Sequence, residues 1–325
     1  MLLNLQTRMW KELGLTTSQQ NLDGFWRMIY KRHLIWYKRF VLKDPPPWTK
    51  DPIFLEYKFT NMYRELDRGT LYLLDNIVNT GNAPEEEVFN IILYRMFNRV
   101  ATYDHIGFQT VYRNSVGPMV WPSFVAVFNK LRAYAEAGNA LYTDAHMVCA
   151  YEHFPGRDKL ERFEWIFAHV LKALPKLMTL VEHQTSLGPI HKFLTTIPGI
   201  GPFNAYEIVV DISYATWNNL HEDEWVNPGP GCMRGLKDIF PDIKPKQCQK
   251  AIQIIRECQK DEFARLKLPF SSIAYKDREL TLRNVEHDLC EYHKYFKALH
   301  GLGRPRNKFK VFTQPNTKEF HRLRG

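Results

Sequence analysis

The sequence predicts an all-α protein. Apolar residues recur at helical spacing in several long segments, whereas few segments alternate between apolar and polar residues as a half-buried strand does. Proline marks the limits of these segments: the Pro45–Pro47 run ends one of them, and Pro84, followed by three glutamates, begins another. No internal repeat or low-complexity linker interrupts the pattern, so we expect about ten helices in one assembly.

The helical pattern places six of these helices along the chain. The apolar residues of the second are on most of its faces, which predicts deep burial. The six predicted helices cover residues 23–41, 84–98, 122–138, 160–177, 246–266 and 280–300. We therefore predict one helical domain over residues 1–300, followed by a basic C-terminal tail over residues 301–325.

Charge favours an anionic partner. The chain has 325 residues, 45% of them hydrophobic and 24% charged, as in soluble globular proteins, and its formal net charge is +9. Most of that surplus lies in the predicted tail, which contains seven basic residues and one acidic residue, Glu319. The seven are Arg304, Arg306, Lys308, Lys310, Lys318, Arg322 and Arg324. We interpret them, Arg304 and Arg306 first, as an arm along a phosphate backbone; a solvated terminus is the alternative.

The remaining composition suggests a cytoplasmic protein, in the host cytoplasm if it is viral. The five cysteines form no C-x-x-C pair and match no zinc or iron–sulfur spacing. The first residues do not form a signal peptide, and no apolar run reaches the roughly 18 residues that a membrane helix needs. We expect neither a metal nor a cofactor, and we interpret the His221–Glu224 run as solvated.

A glycine hairpin is the first candidate functional motif. In FLTTIPGIGPFNA, residues 193–205, an apolar helix is followed by a turn with two glycines and by the start of a second helix. We predict a helix-hairpin-helix over residues 191–212, in which the backbone of Gly199, Ile200 and Gly201 holds a DNA phosphate without reading sequence. An ordinary helical hairpin is the alternative.

This motif resembles the helix-hairpin-helix DNA glycosylase superfamily, whose enzymes flip a base out of the duplex. Its lyase branch has a lysine two residues after the second glycine, where this chain has Phe203. The catalytic aspartate of the superfamily would fall within residues 215–231, where Glu222, Asp223 and Glu224 are candidates and Asn227 can stand in its place. Because an asparagine cannot take a proton, ordinary base excision is in doubt.

A Pro-Gly-Pro-Gly run, residues 228–231, leads into a predicted helix that starts near Cys232. The amides of Gly229 and Gly231, together with Arg234, would suit a second anion. The alternative is a rigid connector.

Two further segments combine acids and bases. If residues 52–68 were one helix, its charged and amide side chains would lie near one face and could grip a phosphorylated substrate. They are Lys58, Asn61, Arg64, Glu65 and Arg68. A solvated face is the alternative. In the last predicted helix, Glu291 and Lys294 form either a salt bridge or an acid–base pair.

Four strings extend the resemblance over residues 25–305: PWTKDPIFLEYKFTNMYRELDR, IILYRMFN, IPGIGPFNAYEIVVDI with WVNPGPGCMRGL, and EHDLCEYHKY. Together they resemble a glycosylase-like branch of DNA hypermodification systems, largely of bacteriophages. The branch is named for α-glutamyl/putrescinyl thymine pyrophosphorylase and includes amino acid:DNA transferases. The same helical module occurs joined to hydroxymethyl-deoxyuridine DNA kinases. No P-loop is present in this sequence.

The resemblance implies a helix-hairpin-helix glycosylase-like fold and double-stranded DNA with modified thymine bases as partner. It also implies a reaction, in which an amino acid or polyamine displaces phosphate or pyrophosphate from phosphorylated 5-hydroxymethyl-uracil. Glu65, Glu291 or an acid of the His221–Glu224 run is then the candidate proton acceptor. The candidate phosphate ligands are Lys58, Arg64, Arg68 and Arg234. A base-excising glycosylase and a non-catalytic DNA-binding partner of a DNA base kinase remain alternatives, and the amine stays open.

Overall fold

The structure, a computed structural model, describes residues 4–113, 119–143 and 158–310, and it confirms the all-α prediction. The α-helices of these residues are α1 Leu5–Leu13, α2 Gln19–Trp36, α3 Pro52–Glu56, α4 Arg68–Asn76, α5 Pro84–Phe97, α6 Val100–Ile106, α7 Phe124–Glu136, α8 Lys159–His183, α9 Leu187–Leu194, α10 Pro202–Ile212, α11 Pro230–Ile239, α12 Cys248–Glu257, α13 Gln259–Arg265 and α14 Leu282–Leu299. Two short strands, β1 Tyr112–Arg113 and β2 Met119–Val120, pair antiparallel. None of the described helices is long and apolar enough to span a membrane.

Contacts divide the chain into two compact units. The first, here called the terminal unit, combines Met1–Asp67 with Val226–Gly325, and the second, the middle unit, is Arg68–Trp225. The predicted boundary at residue 300 stays a prediction. Residues 311–325, which include three of the predicted tail's basic side chains, lie outside the described residues.

The terminal unit is built around α14. Thr281 and Asn284 form a capping box that begins the helix, and Val285, Leu289 and Tyr292 are fully or almost fully buried. The helix packs against α11, α2, α12 and α3. Its closest neighbour is α11, where a Cβ on Gly235 would lie 2.1 Å from the backbone oxygen of Leu289. Only glycine therefore fits at this crossing.

The middle unit is built around α5. Every residue from Glu87 to Phe97 is buried, as the apolar sequence on most faces of this helix predicted. The helix packs against α10 and α8. Its one buried guanidinium, that of Arg95, forms a two-point ion pair with the fully buried Asp211 on α10. The charge is thus neutralised inside the unit.

The conditional prediction of one helix over residues 52–68 is wrong. Helix α3 ends at Glu56 because the backbone of Tyr57 pairs antiparallel with that of Lys308. A single 3₁₀ turn, Arg64–Leu66, precedes α4. The predicted helix over residues 246–266 is also divided, with α12 and α13 separated at Cys258.

Candidate functional site

Residues 57–67 form a loop, here called the 57–67 loop, that is anchored at both ends. At its start the Lys58 N–H donates to the carbonyl of Asn307 (2.9 Å). At its end the Asn61 N–H donates to the Asp67 carboxylate (2.8 Å), and the Asn61 side chain donates to the carbonyl of Leu66 (2.7 Å). Side chains thus fix the backbone here in place of helical hydrogen bonds.

The 57–67 loop lies against polar side chains of α14. The Thr60 N–H donates to the Glu291 carboxylate at 3.4 Å, and the Thr60 hydroxyl is hydrogen-bonded to His287 Nε2 at 2.5 Å. Glu291 is only 2% exposed and forms an ion pair with the half-buried Lys294. The structure brings these two predicted residues together; an acid–base role for them stays a prediction.

The middle of the loop buries two further predicted residues. Arg64 is 4% and Glu65 8% exposed, and Glu65 forms an ion pair with Arg278. The Tyr63 hydroxyl donates to the carbonyl of Arg278 (2.5 Å), so the loop is tied to that residue twice. Burial lowers the pKa of the Arg278 guanidinium. In contrast, the Lys58 side chain is exposed.

A buried ion pair beside this loop was not predicted from the sequence. Arg32 on α2 is 5% exposed, Asp288 on α14 is fully buried, and the two side chains are ion-paired. The signal was present but weak, since Arg32 stands among other basic residues of its helix and Asp288 lies inside the EHDLCEYHKY string. No pattern distinguishes the one arginine that is buried.

Two carboxyl groups, one at the end of the loop and one on α14, have raised pKa values. Burial raises the pKa of Asp288 to about 7 and that of Asp67 to about 6. Such groups can act as general acids or bases, and they often mark functional sites.

His33, one residue from Arg32, gives a testable pH dependence. Its Nε2 donates to the carbonyl of Ile273 (2.7 Å), and burial lowers its pKa from 6.5 to about 4. The unfolded chain therefore takes up this proton first, and the contribution of His33 to stability falls as the pH drops from 6.5 to 4. We expect the His33→Gln protein to lose less stability than wild type over this range, measured by urea unfolding.

The pH dependence of wild-type stability does not isolate the contribution of His33, because the contributions of Asp288 and Asp67 change with pH in the opposite direction. Their raised pKa values make their contributions fall as the pH rises toward 7 and 6, so the wild-type curve mixes both effects. His183→Gln, a change at an exposed histidine, is the control. Parallel curves for wild type and His33→Gln would contradict this prediction.

In the middle unit, α9 and α10 are joined by the predicted glycine turn. Gly199 has φ +85°, and the Ile200 N–H donates to the carbonyl of Ile197 (3.0 Å). Within the described residues, the N–H groups of Gly199 and Gly201 donate no hydrogen bond. Gly201 caps α10, whose first turn also presents its own N–H groups. These donors suit an anion, although a DNA-binding role stays a proposal.

A Gly199→Ala substitution tests the turn. A Cβ at Gly199 would lie 2.4 Å from two carbons of Ile166, and an alanine is strained at φ +85°. We expect a loss of about 1–2 kcal/mol in unfolding free energy and weaker DNA binding. The double variant Gly199→Ala/Ile166→Ala removes the clash but keeps the strain, so an unchanged DNA affinity in that folded protein would argue against a role for the turn.

The other predicted glycines have packing contacts in the terminal unit. The Gly229 N–H donates to Glu286 (3.2 Å), and a Cβ on Gly231 would lie 2.3 Å from Cys290 Sγ. Arg234 on α11 is exposed, and Asn227 is half-buried. Anion binding by Gly229, Gly231 and Arg234 stays a prediction.

The remaining candidates divide between the units. Arg68, Asp223 and Glu224 belong to the middle unit, with Arg68 and Glu224 exposed and Asp223 half-buried. Arg304 and Arg306 belong to the terminal unit and are exposed. Among the described residues, no group of three or more His, Cys, Asp or Glu side chains could hold a metal ion.

Comparison with known proteins identifies the family. Residues 19–303 match the family model described as the helical domain of 5-hmdU DNA kinase. The chain is 30% identical over 303 residues to a 5-hmdU DNA kinase of Bacillus phage SP10, a match that covers 86% of this chain and 45% of that protein. The chain thus spans about half the length of this relative. No solved structure matches it. The predicted resemblance to the helical module of these kinases is confirmed, and the chain belongs to the family of the 5-hmdU DNA kinase helical domain.

Proposed function

We propose that this chain is a DNA base hypermodification enzyme that transfers an amine onto phosphorylated 5-hydroxymethyl-uracil in DNA. One observation carries the proposal: a chain of this family has a cluster of buried acids and bases where the 57–67 loop meets α14. Burial also raises the pKa values of two carboxyl groups at this cluster, Asp67 and Asp288, and such shifts are common at catalytic sites.

The proposed reaction is a displacement at the methylene carbon of the base. The amine nitrogen forms a bond to that carbon, the bond from carbon to the phosphate oxygen breaks, and phosphate or pyrophosphate leaves. A neutral amine gives up one proton, which ends on the leaving group, and a protonated amine first gives another to a carboxylate. Glu291 is the proposed proton acceptor, with Glu65 as the second candidate, and Arg64 stabilises the negative charge of the leaving group.

In this proposal, residues other than Glu291, Glu65 and Arg64 bind the DNA. The N–H groups of Gly199 and Gly201 take one phosphate in the middle unit, while Arg304 and Arg306 supply positive charge in the terminal unit. The target base is flipped out of the duplex before reaction. The amine is an amino acid or a polyamine.

A second function is favoured by the comparison itself. The matched relative is named as a kinase of 5-hmdU in DNA, and this chain covers less than half of it. The chain would then bind DNA for a kinase without catalysing a step. A third possibility, base excision through Asp223 or Glu224, has no such observation in its favour.

One experiment separates these functions. Duplex DNA with phosphorylated 5-hydroxymethyl-uracil is incubated with the protein and a pool of amino acids and polyamines, and the nucleosides are then analysed by mass spectrometry. A new adduct mass supports amine transfer and names the amine. DNA that is bound but unchanged supports the binding partner, and abasic sites support excision.

A further inference from the structure

A pocket of about 180 Å³ lies in the terminal unit, next to the 57–67 loop. Its wall is mainly apolar and includes the aromatic side chains of Trp36, Phe40, Trp48, Phe54, Phe59 and Phe309. Ligand pockets have this character when they bury most of a small, largely apolar or planar molecule and fix it by a few polar groups. Thr60 and Asn61 are such polar groups here.

In the described part of the chain, two hydrogen-bond donors of Arg32, a residue of the pocket wall, have no acceptor. Its Nη2 donates to the Asp288 carboxylate and, at 3.4 Å, to the carbonyl of Asn61. Its Nε and Nη1 are buried and have no hydrogen-bond partner among the described residues. Buried donors are almost always paired in folded proteins, and a guanidinium has donors only. The missing partner is therefore an acceptor, and an oxyanion suits a guanidinium best.

The charge of the pocket agrees with an anion. Of the described residues that line it, the charged ones, Arg32 and Arg39, are both arginines. The Arg39 guanidinium lies over the rings of Phe40 and Trp48, with its carbon 4.7 and 5.1 Å from their centroids. A ligand that combines an oxyanion with a flat ring would meet both features, since aromatic side chains stack on the faces of bases.

We propose that this pocket binds the phosphorylated pyrimidine itself, with the ring against the aromatic wall and the phosphate on Arg32. The inference rests on the proposed function and adds its substrate subsite, in which Arg32, a residue of the pocket wall, is a phosphate ligand in addition to Arg64. It assigns Arg32, Arg39 and Trp48 to substrate binding, a role that the sequence did not predict for any of them. The carboxylate of an incoming amino acid is the competing oxyanion, but it lacks a ring for the aromatic wall.

The test is calorimetric binding of small probes to the full chain. The probes are 2′-deoxyuridine with a phosphorylated 5-hydroxymethyl group, the same nucleoside without phosphate, inorganic phosphate, glycine and glutamate. We expect the phosphorylated nucleoside to bind at least tenfold more tightly than each other probe. Equal affinity for both nucleosides, or tighter binding of an amino acid or of phosphate alone, would overturn the proposal.

Two variants locate the binding. Arg32→Lys keeps the charge that faces Asp288 but has fewer donors, and Trp48→Ala removes part of the wall. We expect each to weaken binding of the phosphorylated nucleoside by roughly tenfold. The matched control is Arg283→Lys, a change at a buried arginine that is ion-paired with Glu286 and does not line the pocket. Loss of binding in the control, or wild-type affinity in both folded pocket variants, would overturn the proposal.

This experiment is independent of the adduct assay. If adducts form but the nucleoside binds without regard to Arg32, the pocket assignment fails and the proposed function stands. If the phosphorylated nucleoside binds through Arg32 but no amine yields an adduct, the pocket stands and the transfer reaction fails. Thermal melting of each variant shows that it is folded.

Discussion

The Glu291→Gln protein is expected to form amine adducts on phosphorylated DNA about 100-fold more slowly than wild type. Glutamine has the size of glutamate and still offers an oxygen to the Thr60 N–H, so the 57–67 loop keeps its contact with α14. It cannot accept a proton from the amine, which is the role proposed for Glu291. The rate is measured as adduct formed per enzyme under saturating DNA and amine, and DNA affinity is measured separately.

Glu262→Gln is the matched control for this substitution. Glu262 is also a buried glutamate in an ion pair with a residue three positions later, and its side chain is 4% exposed against 3% for Glu291. Loss of activity in both proteins would indicate a structural effect. Full activity of folded Glu291→Gln would show that Glu291 is not the proton acceptor and would leave Glu65 as the candidate.

The Gly235→Ala substitution is expected to give the largest loss of stability, about 3 kcal/mol in unfolding free energy. The added Cβ would lie 2.1 Å from the backbone oxygen and 2.8 Å from the backbone carbon of Leu289, so α11 and α14 must move apart. The helix preference of alanine over glycine, about 1 kcal/mol, offsets only part of this cost. Urea unfolding of the purified variant measures the effect.

Two further variants test whether the clash with the backbone of Leu289 causes the loss of stability in Gly235→Ala. Lys237→Ala changes an exposed residue of the same helix and should leave stability nearly unchanged. Gly235→Ala/Leu289→Ala should be no more stable than Gly235→Ala, because the atoms that clash belong to the backbone. Recovery of stability in the double variant would show that the Leu289 side chain, and not the backbone, limits the approach of the helices.

The sequence predicted the helices with strong apolar periodicity. It did not predict the segments whose structure depends on contacts between residues far apart in the chain. Helix α5 begins at Pro84, as predicted, since its proline and acidic first turn are local signals. The 57–67 loop depends on Lys308, far along the chain, which no local pattern reveals. In α14, Leu299 has helical spacing from the buried Val285, Leu289 and Tyr292, yet it is 57% exposed.

The candidate site was predicted in part for the same reason. Glu291 and Lys294 are three residues apart on a helix, so the sequence could pair them. Arg32 and Asp288 meet only because α2 packs against α14, and a sequence shows a basic residue without showing whether it is buried. The candidate site therefore contains one pair that spacing predicts and another that only packing produces.

The discontinuous terminal unit affects the order in which the chain can fold during synthesis. Arg68–Trp225 is continuous, so the whole of this unit has been synthesised before α11 is made. Helices α2 and α3 must wait for α14, which is translated more than two hundred residues later. Because domains tend to fold as units while the chain emerges, the middle unit can form first, and the pocket around Arg32 can close only when Phe309 has been added.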